Sequence, residues 1–431
     1  MEQEIIKFID GGVCAPSGFK ANGMYCGISH KPINVYEQNN VIANEPVATE
    51  NTKKKKNDVG IIYSEKICSA AAVYTQNKVK GAPIMVTQKN ISDGKAQAVI
   101  VNSKNANTCN ADGEEKAAKM CEFAGKAMGV KASDVIVAST GVIGQILNIK
   151  PIEENIDALA KGLNKDGSDN CATAIMTTDV RKKEFAVEFE LDGKVCHIGG
   201  IAKGSGMIHP NMATMLCFMT SDVSISSEML QTALSFVTKK TFNRVSVDGD
   251  TSTNDMACVL ANGCAGNPEI NETNDDFDVF QNNLYVIMMR LSKEIARDGE
   301  GATKLLECIC TGAQDEKTAE IVAKSVITSS LFKAAMFGED ANWGRVLCAI
   351  GYADAEFDIN KVAVSLASKS GKIDVCKNGA GIDFSEDFAK VVLAEDEIQI
   401  LVDLKSGHDT AVAWGCDLTY DYVKINGDYR S

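Results

Sequence analysis

The sequence predicts a protein of the α/β class, in which helices pack on sheets, and three observations support this class. Apolar runs with the length of buried strands alternate with segments that carry apolar residues at helical spacing. The 431 residues are enough for roughly two to three domains with a large core. Aromatic residues make up only 6% of the chain and glycines number 35, a composition that favours close packing of helices on sheets.

Strands and helices alternate in the first half of the chain. After about 60 irregular residues, strands are predicted at 61–63, 70–74, 98–103, 134–138, 184–191 and 195–198, and helices at 114–128 and 152–162. A Ser-Glu-Lys turn is expected between the first two strands. Gly129 is expected to end the first helix, and Asp192-Gly193 is expected to form the hairpin turn before the last strand.

The second half repeats this alternation and ends in a strand-rich region. Strands are predicted at 215–219, 304–310, 362–366, 398–404, 410–414 and 420–425, and helices at 227–239, 276–296 and 318–332. The sharpest change in composition is a glycine-rich loop at 204–211. A cut at the Ala213-Thr214 bond behind this loop would divide the chain into two nearly equal parts, 1–213 and 214–431.

Charge and composition exclude several functions. Asp and Glu number 58 against 44 Lys and Arg, and a net charge of -14 attracts neither nucleic acid nor an anionic membrane surface. The basic run at 53–56 has no aromatic side chains between its lysines and is expected to be a solvated loop. No run of eighteen apolar residues occurs and residues 1–4 do not resemble an export signal, so a cytoplasmic protein is expected.

The cysteine and histidine patterns favour neither disulfides nor a metal site. The 15 cysteines include no C-x-x-C pair, and an odd, scattered set is typical of a reducing compartment. Cys308 and Cys310 share one face of a predicted strand, where cysteines behave as small buried hydrophobes. The four histidines lack metal-ligand spacing, so no zinc site is expected.

Thr214 is the strongest candidate nucleophile. It stands between the glycine-rich loop and an apolar strand, and breaking the Ala213-Thr214 bond would give it a free α-amine beside its hydroxyl. An amine with an ordinary pKa of about 8 is suited to accept the hydroxyl proton near neutral pH. Spacing alone also fits an ordinary first residue of a strand, where β-branched residues are common.

The segment around Thr214 is similar to the self-cleavage motif of the ornithine acetyltransferase family, the self-processing glutamate N-acetyltransferases of arginine biosynthesis. Matching segments run in order along the chain at 11–16, 101–107, 139–144, 176–179, 199–207, 213–216, 247–255, 298–304, 342–345 and 422–426. The resemblance implies a layered αββα sandwich of helices and sheets with smaller α/β subdomains. An α fragment, 1–213, and a β fragment, 214–431, would share this sandwich, and two copies of each would assemble.

The resemblance also implies the reaction. An acetyl group would pass from N-acetylornithine to glutamate, releasing ornithine and N-acetylglutamate. Thr214 would first attack the Ala213 carbonyl and afterwards carry the acetyl group through a ping-pong cycle. No cofactor is implied. Some members of the family also take acetyl-coenzyme A as the acetyl donor, and no residue in the sequence decides whether this chain does.

The family pattern assigns the remaining site residues. Thr140 and Gly141 match its oxyanion-hole pair, in which a hydroxyl and a backbone amide point two donors at one oxygen. The substrate-binding positions are Thr177, Lys203, Thr214, Glu300, Asn426 and Ser431. A lysine offers a point charge for a substrate carboxylate, and a glutamate pairs with an ammonium group. The sequence does not name the proton acceptor for the self-cleavage.

Two other functions stay open at this level. A related self-cleaving amidohydrolase or aminopeptidase would use the same nucleophile but let water remove the acyl group. A non-catalytic binding or structural protein would keep the fold, but the presence of Thr214, Thr140 and Gly141 argues against it. The chain departs from the family pattern at three positions, Cys14, Lys104 and Ala341. Lys104 would be strained wherever the backbone needs a glycine conformation.

Overall fold

The computed structural model describes residues 6–28, 56–209 and 215–428. The strands are β1 Lys7–Ile9, β2 Phe19–Met24, β3 Val59–Tyr74, β4 Lys95–Asn102, β5 Val135–Ser139, β6 Lys183–Leu191, β7 Lys194–Lys203, β8 Leu216–Ser221, β9 Val245–Ser246, β10 Met256–Ala261, β11 Leu305–Ala313, β12 Ala363–Ser368, β13 Gly371–Lys377, β14 Ala380–Gly381, β15 Glu397–Asp403 and β16 Asp409–Cys416. The helices are α1 Ala82–Asn90, α2 Gly113–Met128, α3 Lys150–Lys161, α4 Ser168–Ala174, α5 Ser227–Lys240, α6 Asp275–Arg297, α7 Glu316–Thr328, α8 Ser330–Phe337, α9 Trp343–Gly351, α10 Glu386–Leu393 and α11 Tyr420–Asp428.

The larger sheet has the strand order β1-β6-β7-β8-β10-β3-β4-β5, and β2 pairs with β3. The long strand β3 joins its two halves. Residues before Tyr63 pair with β2 and β4, whereas residues after Cys68 pair mainly with β10, and the register on β4 shifts between these two positions. Such an irregularity bends a strand. The bend lets one half of the sheet pack against the other.

The alternation of side chains along the strands defines four layers. Met256 and Cys258 of β10 share one core with Val99 and Val101 of β4, so these two parts of the sheet face each other. The intervening residues of β10 pack beneath α5 and α6, and those of β4 pack beneath α2 and α3. The order is therefore helix, sheet, sheet, helix, and the predicted αββα sandwich is confirmed.

The second sheet has the order β14-β13-β12-β15-β11-β16-β9. Helices α7 to α10 cover one of its faces and form a separate core that includes Cys308 and Cys310, both fully buried as predicted. Helix α6 contacts strands of both sheets, so it connects the sandwich to this smaller α/β part. None of the helices within the described ranges is long and apolar enough to cross a membrane.

Three secondary-structure predictions were wrong. The strands predicted at 61–63 and 70–74 are one continuous strand, β3. The helix predicted at 318–332 is divided at Ser329, whose hydroxyl accepts the Phe332 amide and starts a new helix, α8. The segment 420–425 is helical rather than extended, with the Thr419 hydroxyl accepting the Tyr422 amide at its start.

The region expected to be irregular also contains regular structure. Strands β1 and β2 occur before residue 60, and β1 pairs with β6 at the edge of the larger sheet. The basic run at 53–56 falls outside the described residues apart from Lys56.

Candidate active site

The predicted oxyanion-hole pair directly follows strand β5. The Thr140 amide donates to the Asn102 carbonyl over 2.9 Å, which fixes the direction in which the chain leaves the strand. Gly141 has φ +133°, and a Cβ there would lie 2.1 Å from the carbonyl carbon of Lys104, so only glycine fits. Among the described residues, the Gly141 amide has no hydrogen-bond acceptor. It therefore remains available as a donor beside the Thr140 hydroxyl.

Lys203, the last residue of β7, points its ammonium group at this pair. Its Nζ lies 3.5 Å from Thr140 Oγ1 and 3.9 Å from Asp179 Oδ2. Only 10% of the lysine side chain is exposed. Both contacts are longer than an ordinary charge-assisted hydrogen bond, so the ammonium group keeps donors for a further negatively charged partner.

Asp179, which was not assigned a role from the sequence, is the central acceptor of the site. Its buried carboxylate accepts the Thr177 amide at 3.0 Å, the Gly204 amide at 2.7 Å and the Lys183 ammonium at 2.8 Å. Burial acts to raise the pKa of Asp179, but the charges of Lys203 and Lys183 outweigh it and hold this pKa well below its usual range. The carboxylate therefore stays charged and links the segments carrying Thr177 and Lys203.

The buried ion cluster extends beyond Asp179. Lys183 is fully buried and bridges Asp179 to Asp298, whose Oδ2 lies 2.6 Å from its ammonium group. Asp298 also accepts the amides of Val180 and Arg181, and it caps the end of α6 two residues before Glu300. Burial raises the pKa of Asp298, although Lys183 acts to lower it. The cluster thereby connects the end of α6 to the loop that carries Thr177.

Glu300 lies against the loop that follows Lys203. Its amide donates to the Ser205 carbonyl over 2.9 Å, and its carboxylate packs on Gly206, where a Cβ would lie 2.4 Å from the Glu300 carboxyl. Asn426 on helix α11 donates to Glu300 Oε2 over 2.7 Å. The structure therefore brings Thr140, Lys203, Glu300 and Asn426 to one region.

The rest of the glycine-rich loop is held by Asp248, another residue without a role assigned from the sequence. Its carboxylate accepts the amides of Met207 at 2.6 Å and Ile208 at 2.9 Å, and the Tyr422 hydroxyl approaches it to 3.4 Å. The Thr251 hydroxyl donates to the His209 carbonyl over 2.8 Å. The chain is thus fixed on the N-terminal side of the predicted cleavage bond.

Three assigned residues lie outside the described ranges, namely Ala213, Thr214 and Ser431. The description resumes at Met215, immediately before β8, where the Met215 carbonyl accepts the Met256 amide over 2.9 Å. The cleavage bond and the nucleophile therefore stay predictions.

Two residues before β10 complete the surroundings of the site. The Asn254 carboxamide donates to the carbonyls of Ala106 and Ser139, and so supports the turn that presents Thr140. The neighbouring Asp255 is buried, and its Oδ2 has no partner in the part of the chain that the structure describes. Burial raises the pKa of Asp255 well above its usual range, against opposing effects of the Ser252 hydroxyl and the Lys203 charge.

The layered fold presents two potential oxyanion donors beside charged groups of both signs, an arrangement suited to an α/β enzyme of the acyl-transfer type. The family model for the ArgJ family matches residues 46–431. Arginine biosynthesis bifunctional proteins ArgJ are similar over most of their length. The protein of Caldanaerobacter subterraneus is 44% identical, over 99% of this chain and all of that protein. ArgJ 1 of Clostridium acetobutylicum is 50% identical, over 87% of this chain and 92% of that protein. The chain belongs to the ArgJ family.

Two solved structures each resemble about half of this chain. A crystal structure of the arginine biosynthesis bifunctional protein argJ from Bacillus halodurans is 46% identical over 50% of this chain and all of that one, with a TM-score of 0.48. Ornithine acetyltransferase of Mycobacterium tuberculosis, complexed with ornithine, is 27% identical over 48% of this chain and all of that one, with a TM-score of 0.40.

Proposed function

We propose that this protein transfers the acetyl group of N-acetylornithine to glutamate in arginine biosynthesis. The observation that carries the proposal is the contact of the buried Lys203 ammonium group with the Thr140 hydroxyl, next to Gly141: a cation lies beside two consecutive residues that can donate to one oxyanion. Membership of the ArgJ family supports the same reaction. Glutamate and acetylornithine both carry a carboxylate, for which Lys203 is a suitable partner.

The reaction begins with a cut. The Thr214 hydroxyl attacks the Ala213 carbonyl, and cleavage gives the fragments 1–213 and 214–431. The new α-amine of Thr214 then serves as the base for its own hydroxyl, which takes the acetyl group from acetylornithine. Thr140 and Gly141 donate to the oxyanion that forms on the acetyl carbonyl. Ornithine leaves, and the amine of glutamate takes the acetyl group from Thr214.

The substrate is held at its two charged ends. Lys203 binds the carboxylate, and Glu300, oriented by Asn426, pairs with an ammonium group. Thr177 lies in the loop that Asp179 ties to Lys203, and we propose that its hydroxyl contacts the substrate. The terminal Ser431 completes the substrate-binding set.

A second activity belongs to this proposal, because the relatives are named bifunctional. We propose that acetyl-coenzyme A also acetylates Thr214, so that glutamate yields N-acetylglutamate without acetylornithine. The competing hydrolase function would instead release free acetate. Mixing the enzyme with acetyl-coenzyme A and glutamate, and measuring N-acetylglutamate and acetate separately, distinguishes these outcomes.

The cut and the transfer are tested together on the purified full chain. Wild-type protein should run on a denaturing gel as two bands of similar size, and sequencing should find Thr214 at the start of the second. Thr214→Ala should stay uncut and inactive, whereas Thr214→Ser, which keeps a hydroxyl, should retain part of both reactions. A single 46.1 kDa band from active wild-type protein contradicts the mechanism.

The assembly and location follow the same family pattern. Two copies of each fragment form the active particle, which light scattering on the purified protein measures directly. The cytoplasm is the proposed location, and the free state of all fifteen cysteines supports a reducing compartment.

A further inference from the structure

We propose that Lys203, held by Asp179, is a positioning residue for the Thr140 hydroxyl in addition to being a partner of the substrate carboxylate. Lys203 would thus act in every step in which an oxyanion forms, including the self-cleavage. The inference rests on the proposed function, because it assumes that Thr140 donates to that oxyanion.

The hydrogen-bond roles follow from the two groups themselves. An ammonium group has three donors and no acceptor, whereas a hydroxyl rotates and can donate or accept. In the contact of 3.5 Å between Lys203 Nζ and Thr140 Oγ1, the threonine oxygen must therefore accept. The O–H of Thr140 then points away from the lysine and is left to donate elsewhere. A cationic donor on the same oxygen also makes this O–H a stronger donor.

Asp179 keeps the ammonium group in place. The aspartate is buried and fixed by the amides of Thr177 and Gly204 and by Lys183. Its Oδ2 lies 3.9 Å from Lys203 Nζ, so the lysine lies between a fixed anion and the Thr140 hydroxyl. The positive charge also stays beside the oxyanion when no substrate carboxylate is bound.

The self-cleavage separates this role from carboxylate binding. In that step the Thr214 oxygen forms a bond to the Ala213 carbonyl carbon, and the carbonyl electrons move onto its oxygen. The C–N bond then breaks, the nitrogen gains the proton that the hydroxyl lost, and water hydrolyses the resulting ester. No substrate carboxylate takes part. A lysine that only binds substrate has no effect on this step, whereas a lysine that orients Thr140 accelerates it.

The first test compares self-cleavage in full-length variants. Lys203→Met should lengthen the half-time of cutting by about tenfold or more, a smaller effect than loss of an oxyanion donor itself because Thr140 keeps its hydroxyl. Lys203→Arg, which keeps a charged donor, should recover part of the rate. Lys182→Met is the matched control, because Lys182 carries the same charge but is exposed and paired with Glu184. Melting curves confirm that each variant is folded.

A double-mutant cycle tests whether Lys203 acts on the cutting rate through Thr140. If Lys203 acts through Thr140, the double variant Lys203→Met, Thr140→Val should cut no more slowly than Thr140→Val alone. If the two substitutions acted independently, their fold-reductions in the cutting rate would multiply in the double variant, and that result would overturn the proposal. Asp179→Asn should reproduce part of the Lys203→Met defect.

A carboxylate-free donor extends the test to the acyl-transfer step. The fraction of Lys203→Met that has cut should be acetylated by 4-nitrophenyl acetate about tenfold more slowly than wild type. Normal cutting and normal reaction with this ester, together with a raised KM for glutamate, would leave Lys203 as a substrate-binding residue only. An uncut wild-type protein would instead contradict the proposed function itself, so the two failures are distinguishable.

Discussion

Asn426 and Glu300 are separated by 126 residues in the chain, yet the Asn426 carboxamide donates to Glu300 Oε2 over 2.7 Å. Helix α11 contributes Asn426, and Glu300 follows the end of α6, whose last turn is tied to the buried ion cluster through Asp298. The Glu300 carboxylate is therefore oriented by a helix that lies far away in the chain. No side chain of that helix is fully buried.

The first prediction concerns this pair. Asn426→Ala removes a donor to Glu300 and should raise the KM for acetylornithine and glutamate roughly fivefold, equivalent to about 1 kcal/mol, with a smaller change in kcat. Steady-state kinetics with both substrates measure the effect. Lys424→Ala, an exposed position on the same helix, is the control and should match the wild type. An unchanged KM in Asn426→Ala would show that Glu300 does not depend on Asn426.

The second prediction concerns the space around Gly141. Gly141→Ala places a Cβ in the Lys104 backbone and should move the Gly141 amide, lowering kcat by about 100-fold to 1,000-fold. Gly144→Ala has a comparable positive φ of +78° but meets no described atom within 4 Å. It should lose about 1 kcal/mol of stability and keep nearly normal kcat. Equal kinetic defects in the two variants would argue against an oxyanion role for Gly141.

The third prediction concerns Lys104, which has φ +74°, a left-handed conformation that favours glycine. Its ammonium group lies 2.8 Å from the buried Asp58 carboxylate and over the Tyr25 ring. Lys104→Met removes the charge and keeps the strained backbone, whereas Lys104→Gly removes both. Lys104→Gly should therefore be more stable than Lys104→Met by about 1 kcal/mol in urea unfolding. The reverse order would show that the backbone at this position carries no strain.

The fourth prediction is a pH dependence of stability. His197 Nδ1 lies 2.7 Å from Asp222 Oδ2. The hydrogen bond that the imidazole donates to the Asp222 carboxylate raises the pKa of His197 above its usual value of 6.5, against the effect of burial. The stabilisation is therefore complete below pH 6.5 and disappears as the pH rises through the folded-state pKa.

Urea unfolding of wild type and His197→Gln at several pH values measures this contribution. The difference in unfolding free energy between them should be about 1 kcal/mol larger at pH 5.5 than at pH 9, allowing for solvent screening. A difference that stays constant over this range would mean that the pKa of His197 is the same in the folded and unfolded states.

The sequence predicted most elements of the sandwich because its buried strands are long and apolar. The prediction was wrong at 420–425. Tyr420 and Tyr422 are two residues apart, as on one face of a strand, whereas Tyr422 and Ile425 are three residues apart, as on one face of a helix. A segment of six residues satisfies both periods, and only the packing against the Glu300 region favours the helix.

The buried ion pairs at the site could also not be predicted from the sequence. Lys183 precedes the predicted strand 184–191 and was given no role from the sequence, but it is fully buried between Asp179 and Asp298, the latter 115 residues away. Ion pairs between distant segments leave no periodic signal in a sequence. Asp179 itself lay within a segment that resembled the family, but only its contacts identify it as the residue that holds Lys203.

The order β7-β8-β10-β3 in the larger sheet has a consequence for the lifetime of the protein. A cut between β7 and β8 leaves both pieces interleaved in one sheet, because β8 lies between β7 and β10, and β10 lies beside β3. The pieces could separate only by unfolding. Refolding would then require two chains to meet and would depend on concentration, whereas the first folding of the intact chain does not. If the Ala213-Thr214 bond is cut as proposed, the continuity of the polypeptide can assist folding only once, before the cut.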